Sequence, residues 1–597
     1  EPPHTNINAK YRSSRLKAYL YGRLIRHLSR NIKEYGRKTG KEIHFYVATH
    51  SLVNYAQWKI MSPESRLLDV DEVDGFIAQV WTGTSGTGNV YEGHYKSRTF
   101  ETAYLEYGIM QELVKGTDKE VWFLQDPVED NPEHGWEEYA DKYKKTLTAA
   151  LFWPDVDHYE VCPWPNRVFK GRYPRKVGLA EGMIPTEDME GAKNIPDTYA
   201  TFLAGMIQTL GDMTKEESET EKDAVGVFLA DSCMYQRTYP DQVEHHGQKI
   251  NLSGMEDWMN RLIFQKEEER QLLLSMEKME YAYKECCAFP DWFGLTLPLL
   301  KYGLPIQPVY FDHMVRYEEY LRKYRYLILS YEFMKPESEE FHHKLVEWVK
   351  QGGTLFYIGK DFDPYNYLQE WWQKFSCDTP AQHLFAEFGM DKEPANGCYR
   401  IGEGNVLVWN EVPALLSVNE AIADKYRNWI REGLKMGGYH WNMCNYLSVR
   451  RDPYIVIASM QESDTGSVYT KEGLFVDLYE DKYPVVERVL VEPGQEKLLF
   501  DLEKIKEDVR IIATAARIEN MACENGQLSI EAKAIDHIQV NMRIRLPGKP
   551  EDLCAHTESG KNMELQSVWD EKSRTVLLSY RSNNEKVHIT GKLKYES

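Results

Sequence analysis

The sequence predicts an α/β chain in three parts: half of a (β/α)8 TIM barrel over residues 1–223, a flavodoxin-like α/β layer over 224–438, and one or two β-sandwich domains over 439–597. Three observations predict it. Strand, loop and helix signals recur about every 40 residues through the first part, apolar strand runs alternate with helical patterns in the second, and helical periodicity ceases after Gly438. A chain of 597 residues is also too long for a single hydrophobic core.

The first part opens on a helix. From Tyr11 to Tyr35, Leu16, Leu20, Leu24, Ile25, Leu28 and Ile32 recur at three- and four-residue steps with Arg and Lys between them, the mark of an amphipathic helix. Glu42–Ala48 then reads as a strand closing on Thr49, His50 and Ser51. Val73–Val80 is a strand ending in Trp81, followed by a Gly-rich loop and a helix from Thr99 to Val114. Lys119–Leu124 opens into Gln125–Asp130 before a helix from Trp136 to Ala150. His158–Val161 opens into Cys162–Pro165, with a long loop before a helix from Thr198 to Leu210. Four such units fit half a barrel or a small doubly wound sheet. Polar and aromatic residues cluster just after the strands (His50, Gln79 with Trp81, Asp126 with Glu129, Trp164), and a (β/α)8 barrel builds its active site from those loops.

In the second part, strands are expected at Ala224–Asp231, Gln307–Phe311, Tyr326–Ser330, Thr354–Ile358 and Val406–Trp409. A helix carrying Phe341, Leu345, Trp348 and Val349 ends at Gly352-Gly353. In the third, short runs such as Tyr454–Ala458, Leu474–Leu478, Val485–Val491, Val540–Ile544 and Val576–Tyr580 are split by turn residues, the spacing of β-sandwiches.

Composition narrows the function classes. The net charge of −21 disfavours nucleic acid and anionic membrane surfaces, which need a basic footprint. No run of 18 apolar residues is present to span a bilayer as a helix. Nine cysteines without a C-x-x-C pair, and histidines without a ligand spacing, predict neither metal site nor cofactor, and reduced thiols favour the cytoplasm while the compartment stays open. The 39 Tyr and 15 Trp add flat faces with polar edges, suited to sugar rings as well as to cores. Gly83–Gly88 lacks the G-K-[ST] ending of a phosphate loop.

The order of parts, with Tyr326–Pro336, a helix, then Trp348–Thr354, resembles the β-galactosidases of glycoside hydrolase family 42 and their clan-A relatives. That resemblance implies a catalytic barrel, an α/β domain used for assembly, and a β-domain. It implies an acid/base glutamate at the end of strand 4, often in Asn-Glu-Pro, and a nucleophile at the end of strand 7. Counting back from residue 223, the four strands become strands 5 to 8, so this is the C-terminal half of the barrel. Asp126 then falls at strand 7, and Glu1-Pro2 matches the last letters of Asn-Glu-Pro. The family uses a glutamate nucleophile, whereas this strand end offers Asp126, with Glu129 three residues later.

The expected catalytic residues are therefore Asp126, Glu129 and Glu1, because glycoside hydrolysis needs one protonated and one ionised carboxyl. The same acids can instead cap the next helix. His50, Asn54, Gln79, Trp81, Glu160 and Trp164 form the expected substrate-binding set: indoles as platforms, amides and imidazole for sugar hydroxyls. The partner expected is an oligosaccharide or glycoside, with a β-galactoside-like bond implied by the resemblance. A homo-oligomer, trimer or dimer, and a separate segment completing the barrel are further expectations. The alternatives are a glycoside phosphorylase and a non-catalytic carbohydrate-binding or assembly subunit.

Overall fold

The computed structural model describes residues 6–129, 133–177, 186–214, 225–236, 242–245, 248–254 and 289–594. Glu1 and Asp130 lie outside the described residues. In the first part, strands Tyr46–Thr49, Gly75–Gln79, Glu120–Gln125 and Tyr159–Val161 form one parallel sheet in sequence order. Registers align Ala48, Ile77 and Trp122 in one row and Gln79, Leu124 and Glu160 in the next. Residues between these rows face the helices: Phe76, Ala78 and Phe123 are fully buried, and the Phe123 ring lies 4.3 Å from that of Tyr107 on the helix Thr99–Val114.

The four parallel strands expected as half of a barrel are present as an open sheet, and a (β/α)8 barrel is not shown. Among the described residues the outer edges of Tyr46–Thr49 and Tyr159–Val161 have no strand partner, so the sheet stays open at four strands. The face that would line a barrel holds an exposed Ala48 and half-buried Ile77, Gln79, Trp122 and Glu160. A parallel sheet is normally covered on both faces. This one is covered by helices on one.

The first helix runs over Ile7–Thr39, longer than its periodicity suggests, and packs by a face that keeps Ile25 and Ile32 half-buried but turns the four leucines outward. Its buried stripe is Ile7, Tyr11, Ala18, Gly22, Ser29 and Gly36, mostly small residues that let the backbone approach its neighbours. Leu16, Leu20, Leu24 and Leu28, expected on the core side, are 45–54% exposed. Asn6 caps the start by accepting from Ala9 N, and Gly40, left-handed at φ 67°, ends it.

The second sheet has the order Ile306–Tyr310, Val225–Leu229, Tyr326–Leu329, Thr354–Ile358, Gly404–Trp409, Gly397–Ile401. The last strand is antiparallel and the rest are parallel, the doubly wound pattern read from the sequence. Every residue of Val225–Leu229, Tyr326–Leu329 and Thr354–Ile358, three of the four inner strands, is buried, which explains their unbroken apolar runs. The order reverses between Val225–Leu229 and Tyr326–Leu329, where such folds bind ligands. Here that crevice is plugged: Ser232 Oγ donates to the Lys335 carbonyl at 2.7 Å, accepts from Lys335 N at 2.8 Å, and the Lys335 ammonium pairs with Asp363.

The third part is antiparallel throughout. A five-stranded sheet begins at Tyr446–Arg451; a four-stranded sheet and a second five-stranded sheet follow from Arg510. Leu528, Ile530 and Ile589 of one sheet share a core with Val540, Met542, Ile544 and Leu578 of the other, a sandwich. The helix Asp197–Gly211 adds Ala200 and Ala204 to that core. Thr148 meets the Tyr479 hydroxyl at 2.7 Å, and Arg451 donates to the carbonyls of Val156 and Thr214 at 2.9 and 3.2 Å, which ties the first part to the third.

Candidate active site at the carboxyl ends of the first sheet

Asp126 follows Gln125, the last residue of its strand, and is 4% exposed. Its Oδ1 accepts from Val128 N at 3.3 Å, an Asp turn across Pro127, and its Oδ2 lies 3.6 Å from the Arg167 guanidinium. Arg167 stands on the short helix Pro165–Phe169 beyond the next strand.

Glu129 is buried, and its Oε1 accepts from His134 Nδ1 at 2.5 Å and from Lys142 Nζ at 3.2 Å. Burial pushes its carboxyl up, but the His134 hydrogen bond and the Lys142 and His134 charges outweigh that, so the net shift is downward and Glu129 is ionised at neutral pH.

The approach to Glu129 depends on a missing side chain. A Cβ on Gly83 would lie 2.6 Å from the Trp81 ring and 3.0 Å from Glu129 Oε2, so the glycine brings the indole and the carboxylate to one place. A Cβ on Gly86 would likewise lie 3.0 Å from Lys142 Nζ. The segment expected as a Gly-rich loop is a short helix, Thr82–Ser85, followed by the hairpin Gly88–Tyr91 with His94–Ser97.

The remaining candidates separate into two places. Gln79 and Glu160 lie half-buried on the open face of the sheet, either side of Leu124, and burial raises the Glu160 carboxyl. Trp164 is 60% exposed at the start of Pro165–Phe169. His50 is turned inward: its Nδ1 lies 3.1 Å from the Gln79 carbonyl, its ring packs edge-on to Trp58, and burial lowers its pKa. Asn54 is fully buried, exchanging cap bonds with Ser51 and donating to Glu106. Its amide is spent inside the fold rather than offered to a ligand. Ser51-x-x-Asn54 was legible as a helix start.

Sequence reasoning missed His134 and Lys142, which hold Glu129 ionised, Arg167, which pairs with Asp126, and Glu64. The last is a buried carboxyl beside the first strand, taking hydrogen bonds from Ser62 at 2.6 Å, Tyr55 at 2.9 Å and Thr49. The arrangement supplies an ionised carboxylate next to an indole plane, with a second carboxyl of raised proton affinity on a neighbouring strand. Among the described residues no cluster of three His, Cys, Asp or Glu is placed to hold a metal ion.

No family model matches the sequence, and no curated protein matches it. Among solved structures, the chain is similar to a β-galactosidase from Bacillus circulans sp. alkalophilus, with 11% identity, a TM-score of 0.43, and coverage of 80% of this chain and 66% of that one. It is similar to an exo-carrageenase GH42 from Bacteroides ovatus, with 8% identity, a TM-score of 0.35, and coverage of 75% and 51%. A rhamnosidase from Novosphingobium sp. PP1Y gives 9% identity, a TM-score of 0.33, and coverage of 89% and 51%. The chain thus spans between half and two thirds of the length of these proteins. Among the described residues no helix is long and apolar enough to cross a membrane.

Proposed function

We propose that this chain carries the active-site mouth of a glycoside hydrolase acting on a β-galactoside-like bond in a neutral oligosaccharide. The observation that carries the reading is the convergence of Trp81 and the ionised Glu129 over Gly83 at the carboxyl end of a parallel sheet. An indole offers a pyranose its flat face, and a carboxylate held ionised by His134 and Lys142 stabilises the positive charge that develops at the anomeric carbon. Glu160, whose burial favours the protonated form, suits proton delivery to the departing oxygen. Asp126, paired with Arg167, stands at the end of the strand that leads to Glu129.

The test is hydrolysis of 4-nitrophenyl β-D-galactoside by the wild-type chain and by Glu129→Gln. Loss of about a hundredfold or more in kcat with the fold intact supports the reading; undiminished turnover removes Glu129 from it. A second reading, a carbohydrate-binding or assembly subunit, is favoured by the open face of the four-stranded sheet. It requires a folded wild-type chain that binds oligosaccharide without turnover and loses that binding in Trp81→Ala.

A further inference from the structure

We infer that the crevice at the carboxyl ends of strands Thr354–Ile358 and Gly404–Trp409 is a separate binding site for a neutral, polyhydroxylated ligand the size of a mono- or disaccharide. It lies in the second sheet and does not depend on the hydrolase reading. Its volume of about 530 Å³ falls in the range of small-ligand sites, and its place outside the carboxyl ends of parallel strands is where doubly wound sheets bind. With the switch point plugged by Lys335, the open space is displaced one strand pair outward.

Asn366 points to the ligand. It lines the crevice yet is 4% exposed. Its Nδ2 donates to the carbonyls of Asp361 at 2.6 Å and Asp363 at 3.1 Å, which fixes the orientation of the amide. Its Oδ1 is left buried with no hydrogen-bond partner. A buried carbonyl oxygen is normally given a donor, and this one, on a residue that lines the crevice, has none among the protein's described groups.

The walls decide what kind of donor. Asp361, at the rim of the same strand end, carries a carboxylate that accepts from the Tyr357 hydroxyl and keeps further acceptor capacity. The lining side chains include two cations, Lys360 and Lys392, against four acids, Asp361, Asp363, Asp378 and Glu393. Lys360 pairs with Glu411 at 3.1 Å and Lys392 donates to the Ser376 carbonyl at 2.8 Å, so the balance opposes a phosphate or other anion. Phe362 and Tyr367, both half-buried, supply flat apolar surface. Acceptors set among aromatic faces match the hydroxyl and C–H surfaces of a sugar.

Isothermal titration of the full chain with D-galactose and lactose tests the site, alongside inorganic phosphate and spermidine as anionic and cationic probes. The expected result is saccharide binding that weakens at least tenfold in Asn366→Leu and in Tyr367→Ala and persists in Glu129→Gln, with neither ionic probe competing. Tyr367→Ala keeps the test usable if Asn366→Leu fails to fold, because Tyr367 lies on the rim and is half-buried. Saccharide binding unchanged in the two crevice variants overturns the proposal, as does its absence from the wild type. Preferential binding of phosphate or spermidine at this place overturns the ligand class. Failure here leaves the Glu129 kinetics untouched, and failure of those kinetics leaves this site standing.

Discussion

Arg98 grips Glu462 by two parallel hydrogen bonds, from Nε at 2.8 Å and Nη2 at 2.9 Å, and the two residues stand 364 positions apart in the chain. Lys301 and Lys96 reach the same carboxylate at 2.9 and 2.8 Å. Arg98 itself is 3% exposed and also donates to the carbonyls of Asn89 and Tyr91.

Replacing Arg98 by Met should cost about 2 kcal/mol in urea unfolding at pH 7, because it leaves Glu462 to its two lysines and strips several buried carbonyls of their donor. Burial pushes the Glu462 carboxyl up, but its cations more than reverse this and hold it far below the usual carboxylate range. A depressed folded-state pKa stabilises above the unfolded carboxyl range and is lost as pH falls through the folded value. The stability gap between wild type and Glu462→Gln should therefore be full at pH 7 and close on acidification. A gap that stays constant down to pH 2 would sink this account.

Glu106 behaves in the opposite sense. Burial raises its carboxyl to about 8 against one hydrogen bond from Asn54, so the folded state binds a proton that the unfolded chain has released. The sign is negative: stability falls as pH rises from about 4.5, the unfolded value, to about 8. Glu106→Gln should melt progressively higher than wild type across that interval, measured by circular dichroism at a series of pH values.

Two glycines of the first helix give a paired test. A Cβ on Gly22 would meet Pro63 Cβ at 3.5 Å, an ordinary contact, so Gly22→Ala should gain roughly 0.5–1 kcal/mol from helix propensity. A Cβ on Gly36 would fall 2.8 Å from the Lys41 carbonyl, so Gly36→Ala should destabilise instead. Equal effects in chemical denaturation would mean that the helix is not seated as described.

Gly83→Ala probes the mouth without adding or removing a charge. The added methyl would collide with the Trp81 ring at 2.6 Å and displace it from Glu129. Turnover of 4-nitrophenyl β-D-galactoside should fall in kcat/KM by about tenfold or more while the melting temperature moves little. An unchanged kcat/KM would detach the indole from the proposed site.

The strands were legible as short apolar runs, whether buried on both faces as in the second sheet or on one as in the first. Thr354–Ile358 sits where it was read, and Val73–Val80 and Lys119–Leu124 contain or overlap Gly75–Gln79 and Glu120–Gln125. The first helix was legible in type but not in orientation. Its leucines follow the 3.6-residue period, yet Ala18, Gly22 and Gly36 win the core side because only small residues allow so close a backbone approach. Whether the four strands belong to a barrel or to an open sheet was not legible either, since the two share the same strand runs. At the mouth, Asp126 and Glu129 stood out as acids at a strand end. Their cations did not, because Lys142 reaches Glu129 past Gly86 and Arg167 reaches Asp126 from a helix beyond the next strand, placements that only the fold makes.

The ties between the first and third parts also set an order in time. Helix Trp136–Leu151 ends its packing on Tyr479, the loop around Val156 is held by Arg451, and Arg98 waits for Glu462. A ribosome adding about 5–20 residues each second delivers those partners many seconds after the strands they stabilise. During that interval the N-terminal units hold a parallel sheet and a cleft of charges without their seal, so the vulnerable period in the life of this protein falls during its own synthesis.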